Sequence, residues 1–339
     1  MPNRYAHLVG SLPGPDARTA MSTALGIVGP YLRSLPDGET GDRNNWVGAP
    51  IAGLHDHPDL ELRPRGPSPD GSGPYRLRRG RRLFGASLDF GHVAAARHSF
   101  PVFEELSADR EDLAFQQGLP GDFDMAALSL GPSAGLRHRR SFTEATLAEI
   151  RDIRKLAGPS TIFQIEVPLE LVLLAKAPAR TRPLLARLLA QNVTRLAAAA
   201  PTGTRFAVHL CVGDQNHQAL ATPDDVMPLV LLANQVFAQW PQANPLVVLH
   251  APFAAAAQPA STDPAFLAPL RRLRLPAGVS FAAGFVHEAQ PLAAQLQIRD
   301  RAEDLIGEEV TVAAACGLGR RSVAAGTAVL QQMAELCVA

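Results

Sequence analysis

Short apolar runs alternate along this chain with longer segments whose apolar positions recur every three or four residues, the patterns of strands and amphipathic helices. The runs at 5–9, 32–35, 113–117, 161–166, 206–211, 246–250, 279–285 and 311–316 predict strands. Helical spacing predicts helices over 15–28, 141–157, 181–200, 223–240, 264–273 and 292–306, with 322–336 closing the chain. Pro15 and Asp16 open the first helix and Gly29-Pro30 stops it, as helix-boundary chemistry requires. Eight strands, each followed by helix or loop, predict an α/β protein of the (β/α)8 TIM-barrel type, with 1–339 as a single domain. An open doubly wound sheet is the alternative, but no Gly-x-Gly-x-x-Gly follows the first strand.

The alternation fails over 44–112. This stretch is rich in Pro, Gly, His and Arg, including Arg63-Pro64-Arg65-Gly66-Pro67 and the basic run from Arg76 to Arg82. It reads as an irregular insertion or lid after the second strand. The basic run reads as a solvated helix face, with capture of a substrate carboxylate or phosphate as the other reading. His55 and His57 are expected in an exposed loop.

Ser11, Glu39, Glu166, His209, Cys211, His250 and Cys316 fall at or just beyond the C-terminal ends of the predicted strands. That is the face on which barrel active sites are built. His209 and Cys211 lie two residues apart on one strand, so their side chains point the same way. With Cys316 they form a thiolate and imidazole set suited to zinc. The same spacing is that of small buried cysteines and a satisfied core histidine, the other reading of these residues.

Composition narrows the partners. Lys plus Arg and Asp plus Glu both number 32, so nothing electrostatic favours nucleic acid or a membrane surface, and small molecules are the expected partners. Hydrophobic residues make up 47% of the chain, enough for a large core. Three cysteines cannot form a disulfide framework, and no apolar run has membrane-spanning length. The N-terminal residues run straight into a strand without a signal-peptide core, so a soluble, cytoplasmic protein is expected.

The pairing of His209-Leu210-Cys211 with Cys316-Gly317-Leu318 resembles the zinc site of the cobalamin-independent methionine synthase family, in its C-terminal catalytic barrel. Three further segments agree in order. Gly10-Ser11-Leu12-Pro13 resembles the family's Gly-Ser-Phe-Pro. Gly38-Glu39 with Arg43 and Trp46-Val47 resembles its Gly-Glu-x-x-Arg segment, and Ile165-Glu166-x-Pro168 its Ile-Asp-Glu-Pro. The resemblance implies a zinc-dependent methyl or alkyl transferase that activates a small, amino-acid-like thiol as thiolate. It implies that Gly10 and Ser11 hold the amino acid's carboxylate and that Glu39 and Glu166 hold its ammonium group. His287 resembles the histidine of the family's His-Ser-Pro and is implied in proton transfer to the leaving group.

The chain also departs from that pattern. Where the family has a zinc-binding glutamate, this chain has His250, the expected fourth ligand, with Glu288 as the alternative. Val167 replaces the family's second acid, and the N-terminal half of the long enzymes, which helps bind folate, has no counterpart, so a folate donor is not implied. Two other readings stand beside the transferase. One is a metal-free enzyme on the related uroporphyrinogen decarboxylase barrel; the other is a non-catalytic protein with a closed structural zinc.

Overall fold

The computed structural model describes residues 4–45, 47–63, 73–214 and 218–339. Trp46 and the segment 64–72, which includes most of the arginine and proline run, lie outside them. The elements are β1 (Ala6–His7), α1 (Ala17–Val28), β2 (Ser34–Pro36), α2 (Gly48–Gly53), β3 (Leu60–Leu62), β4 (Tyr75–Leu77), α3 (His92–Leu106), β5 (Ala114–Pro120), α4 (Asp122–Leu130) and α5 (Pro132–Ala157). They continue with β6 (Ile162–Val167), α6 (Pro168–Lys176), α7 (Arg182–Ala199), β7 (Arg205–Leu210), α8 (Met227–Gln239), β8 (Leu246–Pro252), α9 (Pro264–Leu267), β9 (Ser280–Val286), α10 (Leu292–Ile306), β10 (Thr311–Ala314) and α11 (Val323–Val338).

Among the described residues, eight parallel strands pair in the order β1-β10-β9-β8-β7-β6-β5-β2. A parallel bridge between Ala6 and Leu32 joins the two ends, so the sheet closes into the (β/α)8 barrel that the hydrophobic pattern predicts. Alternation along the strands separates two environments. On β6, Phe163, Ile165 and Val167 join the main hydrophobic core with Phe206, Val208 and Leu210 of β7. The intervening Ile162, Gln164 and Glu166, with Ala207 and His209, line the other face, apolar at the N-terminal end and polar at the C-terminal end.

The segment after β2 is more regular than its composition suggests. β3 and β4 form an antiparallel hairpin, so Arg76 lies on a strand and not on a helix face. α3 carries His92, Ala96, Ser99 and Phe103 buried at helical spacing, and it packs on α1 and α5. Pro101 within it obscures the pattern in the sequence. His55 is exposed as expected, but His57 is buried, bonded to Ser87 Oγ at 3.0 Å and accepting from Asp59 N at 3.2 Å. α4 and α6 escape periodicity because most of their residues are buried on every side.

Phe206 ties the strand that carries His209 to the helices. Its ring centroid lies 6.3 Å from that of Phe163 and 5.9 Å from that of Trp240. Phe206→Ala is expected to lower folding stability by about 3–5 kcal/mol, read from the midpoint of chemical denaturation. A loss below about 1 kcal/mol would show that the ring does not clamp this strand.

Candidate metal centre and cavity

Parallel pairing brings the polar strand ends into one layer. Glu166 of β6 is in register with His209 of β7, and His209 with His250 of β8. Cys211 follows β7, and Cys316 stands in the loop beyond β10, which ends at Ala314 instead of running on to 316. The ligand atoms of His209, Cys211 and Cys316 all lie within 4.8 Å of one another, a group that could hold a metal ion. The two sulfurs are 3.9 Å apart, and His209 Nε2 is 3.6 Å from Cys316 Sγ.

His250 stands outside this trio. Its Nε2 lies 2.9 Å from the Ala314 carbonyl, an acceptor only, so Nε2 carries the proton. Burial and the neighbouring His209 and His7 hold its pKa well below the usual histidine range, so the ring is neutral and Nδ1 is an acceptor. His209 Nδ1 therefore donates across 2.7 Å, which leaves the lone pair of His209 on Nε2, facing Cys316. His7 lies beside His250, its pKa lowered to about 4 chiefly by burial, and donates to Gln164 Oε1 at 2.9 Å.

Cys316 is held well below its ordinary thiol value by the hydrogen bond from Cys211, against the effect of burial, with the Arg320 guanidinium adding to it. Cys211 is pushed correspondingly up. Arg320 Nη2 donates to Asp214 Oδ2 at 3.1 Å and touches Cys316 Sγ at 3.3 Å, while Nη1 donates to the Asn44 carbonyl at 3.2 Å. Neither Arg320 nor Asp214 is singled out by the sequence pattern; a Gly-Asp pair just after the His-x-Cys run is the available signal. Cys337 lies buried on α11, its thiol raised to about 12 by burial.

Glu39 and Glu166 face each other across the interior. A Cβ on Gly118 would lie 2.4 Å from Glu39 Oε1 and 3.3 Å from Glu166 Oε1, so any larger residue there would displace the Glu39 carboxyl. Glu39 takes a φ of 41°, a conformation that costs a non-glycine residue on the order of 1–3 kcal/mol and clusters at functional sites. Its turn is held by Asp37, which accepts from Glu39 N at 3.3 Å and pairs with Arg43 at 2.7 Å. Burial, then the nearby Asp37, push Glu39 up to about 8, with Arg43 and Arg320 opposing. Burial and Glu39 likewise raise Glu166 well above the carboxylate range, and Gln164 Nε2 donates to it at 3.1 Å.

Ser11 binds its loop to the cysteine loop: its carbonyl accepts from Leu318 N at 2.6 Å and Gly319 N at 3.1 Å. Gly10 sits against Glu39, where a Cβ would lie 3.0 Å from Oε2. Ser11, Glu39, Glu166, His209, Cys211 and Cys316 all line one cavity of about 520 Å3. His287 is not among its lining residues; it is buried, donates from Nε2 to the Ala256 carbonyl at 3.1 Å and accepts from Ala289 N at 3.1 Å. Glu288 is bound by Arg321 Nε at 3.0 Å to each carboxylate oxygen.

No protein-family model matches the chain, and no curated protein matches it in sequence. Among solved structures, a B12-independent methionine synthase from Shewanella sp. W3-18-1 in complex with selenomethionine matches with a TM-score of 0.60, covering 99% of this chain and 97% of that one at 12% identity. A putative vitamin-B12 independent methionine synthase from Listeria monocytogenes gives 0.57, with 98% and 96% covered at 11% identity. Over nearly its whole length, the chain has the fold of the B12-independent methionine synthase-like proteins.

Proposed function

We propose that the chain is a zinc-dependent methyl or alkyl transferase that takes up a small, amino-acid-like thiol and holds it as a thiolate. The observation that carries this reading is the convergence of His209, Cys211 and Cys316 on one wall of the cavity. Their spacing suits the ion. Bond lengths of about 2.3 Å to sulfur and about 2.0–2.1 Å to nitrogen give tetrahedral edges of roughly 3.8 Å between sulfurs and roughly 3.6 Å between nitrogen and sulfur. The Cys211–Cys316 and His209–Cys316 separations here are 3.9 and 3.6 Å, and the His209–Cys211 separation lies within 4.8 Å. When bound, zinc supplies the positive charge that keeps a thiol, with a free pKa of roughly 8.5, ionised at neutral pH.

Three protein donors with a fourth position left over are the pattern of a catalytic site, which argues against closed structural zinc. His250 acts from behind: it fixes the tautomer of His209 and so presents the Nε2 lone pair, the usual service of a partner to a ligating imidazole. Glu39 and Glu166 are two buried carboxyls that resist both being ionised, and an ammonium group between them relieves that strain. The Gly10-Ser11 loop takes the carboxylate. The complex of the Shewanella protein with selenomethionine supports an amino acid as the ligand of such a barrel. His287 and Glu288 serve the loops that follow β8, β9 and β10, since they bond to Ala256, Ala289 and Arg321 there.

Cys211→Ser and Cys316→Ser are each expected to lose stoichiometric zinc, measured by atomic emission, with unchanged circular dichroism. His250→Ala is expected to keep zinc but bind it roughly 10–100-fold more weakly. Loss of zinc from His250→Ala as complete as from the cysteine variants would make the imidazole a ligand itself.

The carboxyls give a second test. Glu39→Gln or Glu166→Gln is expected to weaken binding of an amino-acid thiol by about 1.5–3 kcal/mol with zinc content unchanged. Glu39 also leaves a pH signature. Its folded pKa is raised to about 8 from 4.5, so the stability attached to its protonated form is present in full below 4.5 and lost as pH rises through 8. In ligand-free protein, the melting temperature of Glu39→Gln should therefore gain on the parent between pH 5 and 9; parallel curves would remove Glu39 as a buried, proton-holding acid.

A further inference from the structure

A cavity of about 520 Å3 is of the size that drug-sized ligands fill, several times the volume of an amino-acid-sized thiol. Its polar groups gather at one end, around Glu39, Glu166 and the His-Cys-Cys trio. Among the described residues, the remaining wall is mainly aliphatic, built by Val47, Ile51, Pro74, Leu128, Leu169 and Leu220 from four separate connections of the barrel, with Asn45 a polar residue beside them. On α4, Met125, Ala126, Ala127 and Leu130 are buried in the fold, whereas Leu128 is left partly open and lines the cavity. The same holds for Val47, Ile51, Pro74 and Leu169, all half-buried, and for Leu220, which is 43% exposed. Arg320, the cation among the described lining residues, is held through its Nη atoms by Asp214 and Asn44 and contacts Cys316 at the polar end, where its Nε has no hydrogen-bond partner among the described residues. A charged group placed against the six aliphatic side chains would lose its hydration without gaining a partner there.

We infer that this aliphatic lobe is the binding site for the second substrate, and that the substrate presents an uncharged, apolar body to it. That the occupant is a second substrate rests on the transferase reading; the lobe itself is a property of the cavity. An apolar body covers the six side chains, and its reactive end then lies toward the sulfur and imidazole groups at the polar end.

The test uses zinc-loaded protein and two homologous series, n-alkanethiols and n-alkanols from three to six carbons, with dissociation constants from calorimetry. Affinity is expected to rise roughly three- to fourfold per methylene in both series, with the thiols offset to tighter binding throughout. Leu128→Asp should flatten the rise and leave the thiol offset unchanged. Capping the far end of each thiol with a carboxylate should abolish the gain from chain length. A thiol offset with no dependence on chain length, or tighter binding of the carboxylate-capped chains, overturns the lobe and leaves the metal reading intact. Rising affinity in both series without a thiol offset supports the lobe while removing the thiol-binding metal.

Discussion

Parallel pairing of β7 with β8 sets His209 directly beside His250, and the 2.7 Å hydrogen bond between their Nδ1 atoms determines which nitrogen of His209 faces the cysteines. The proton on that bond is fixed from further away. The Ala314 carbonyl demands a donor from His250, and burial keeps both His250 and His7 neutral. A chain of buried acceptors and donors thus runs from the backbone of β10 to the Nε2 lone pair of His209. Because the barrel closes, β10 stands where it can supply that carbonyl, so the tautomer at the mouth depends on the whole sheet.

Around this chain the strand ends hold more polar groups than an ordinary core tolerates. Gln116 and Gln164 satisfy the carbonyls of Leu8 and Val9, and Gln116 also donates to Gln164. Glu39 and Glu166 are left facing each other, both raised in pKa by burial, Glu39 further by Asp37 and Glu166 further by Glu39, with Arg43 and Arg320 compensating in part. The strained backbone of Glu39 and the glycine at 118 hold that arrangement in place. Such a pair is stable with one proton or with a bound cation, and it stands in the same cavity as the sulfur ligands.

Much of this is legible in the sequence, and for a physical reason. Strand periodicity fixes which side chains share a face, so the two-residue spacing of His209 and Cys211 is enough to place them together. Positions at strand C-terminal ends gather at one face of a barrel, which brings Ser11, Glu39, Glu166 and Cys316 to the same mouth. Register between strands is not written in either strand alone. His250 follows an apolar run as a ligand would, yet it pairs with His209 and not with Cys211, and therefore lies a layer below the sulfurs. Arg320 and Asp214 meet across 106 residues of chain, a contact no local pattern reveals. α3 is hidden by Pro101 and by the charged composition around it, and the aliphatic lobe by its assembly from four connections.

X-ray absorption at the zinc edge tests the central claim most directly, that three protein donors leave a position for a substrate sulfur. With zinc alone, two sulfurs and one nitrogen from the protein, completed by a light atom, are the expected shell. Adding an amino-acid thiol should raise the sulfur count by one at about 2.3 Å. A shell of two sulfurs and two imidazole nitrogens that the thiol leaves unchanged would mean that His250 closes the site, and would contradict the account.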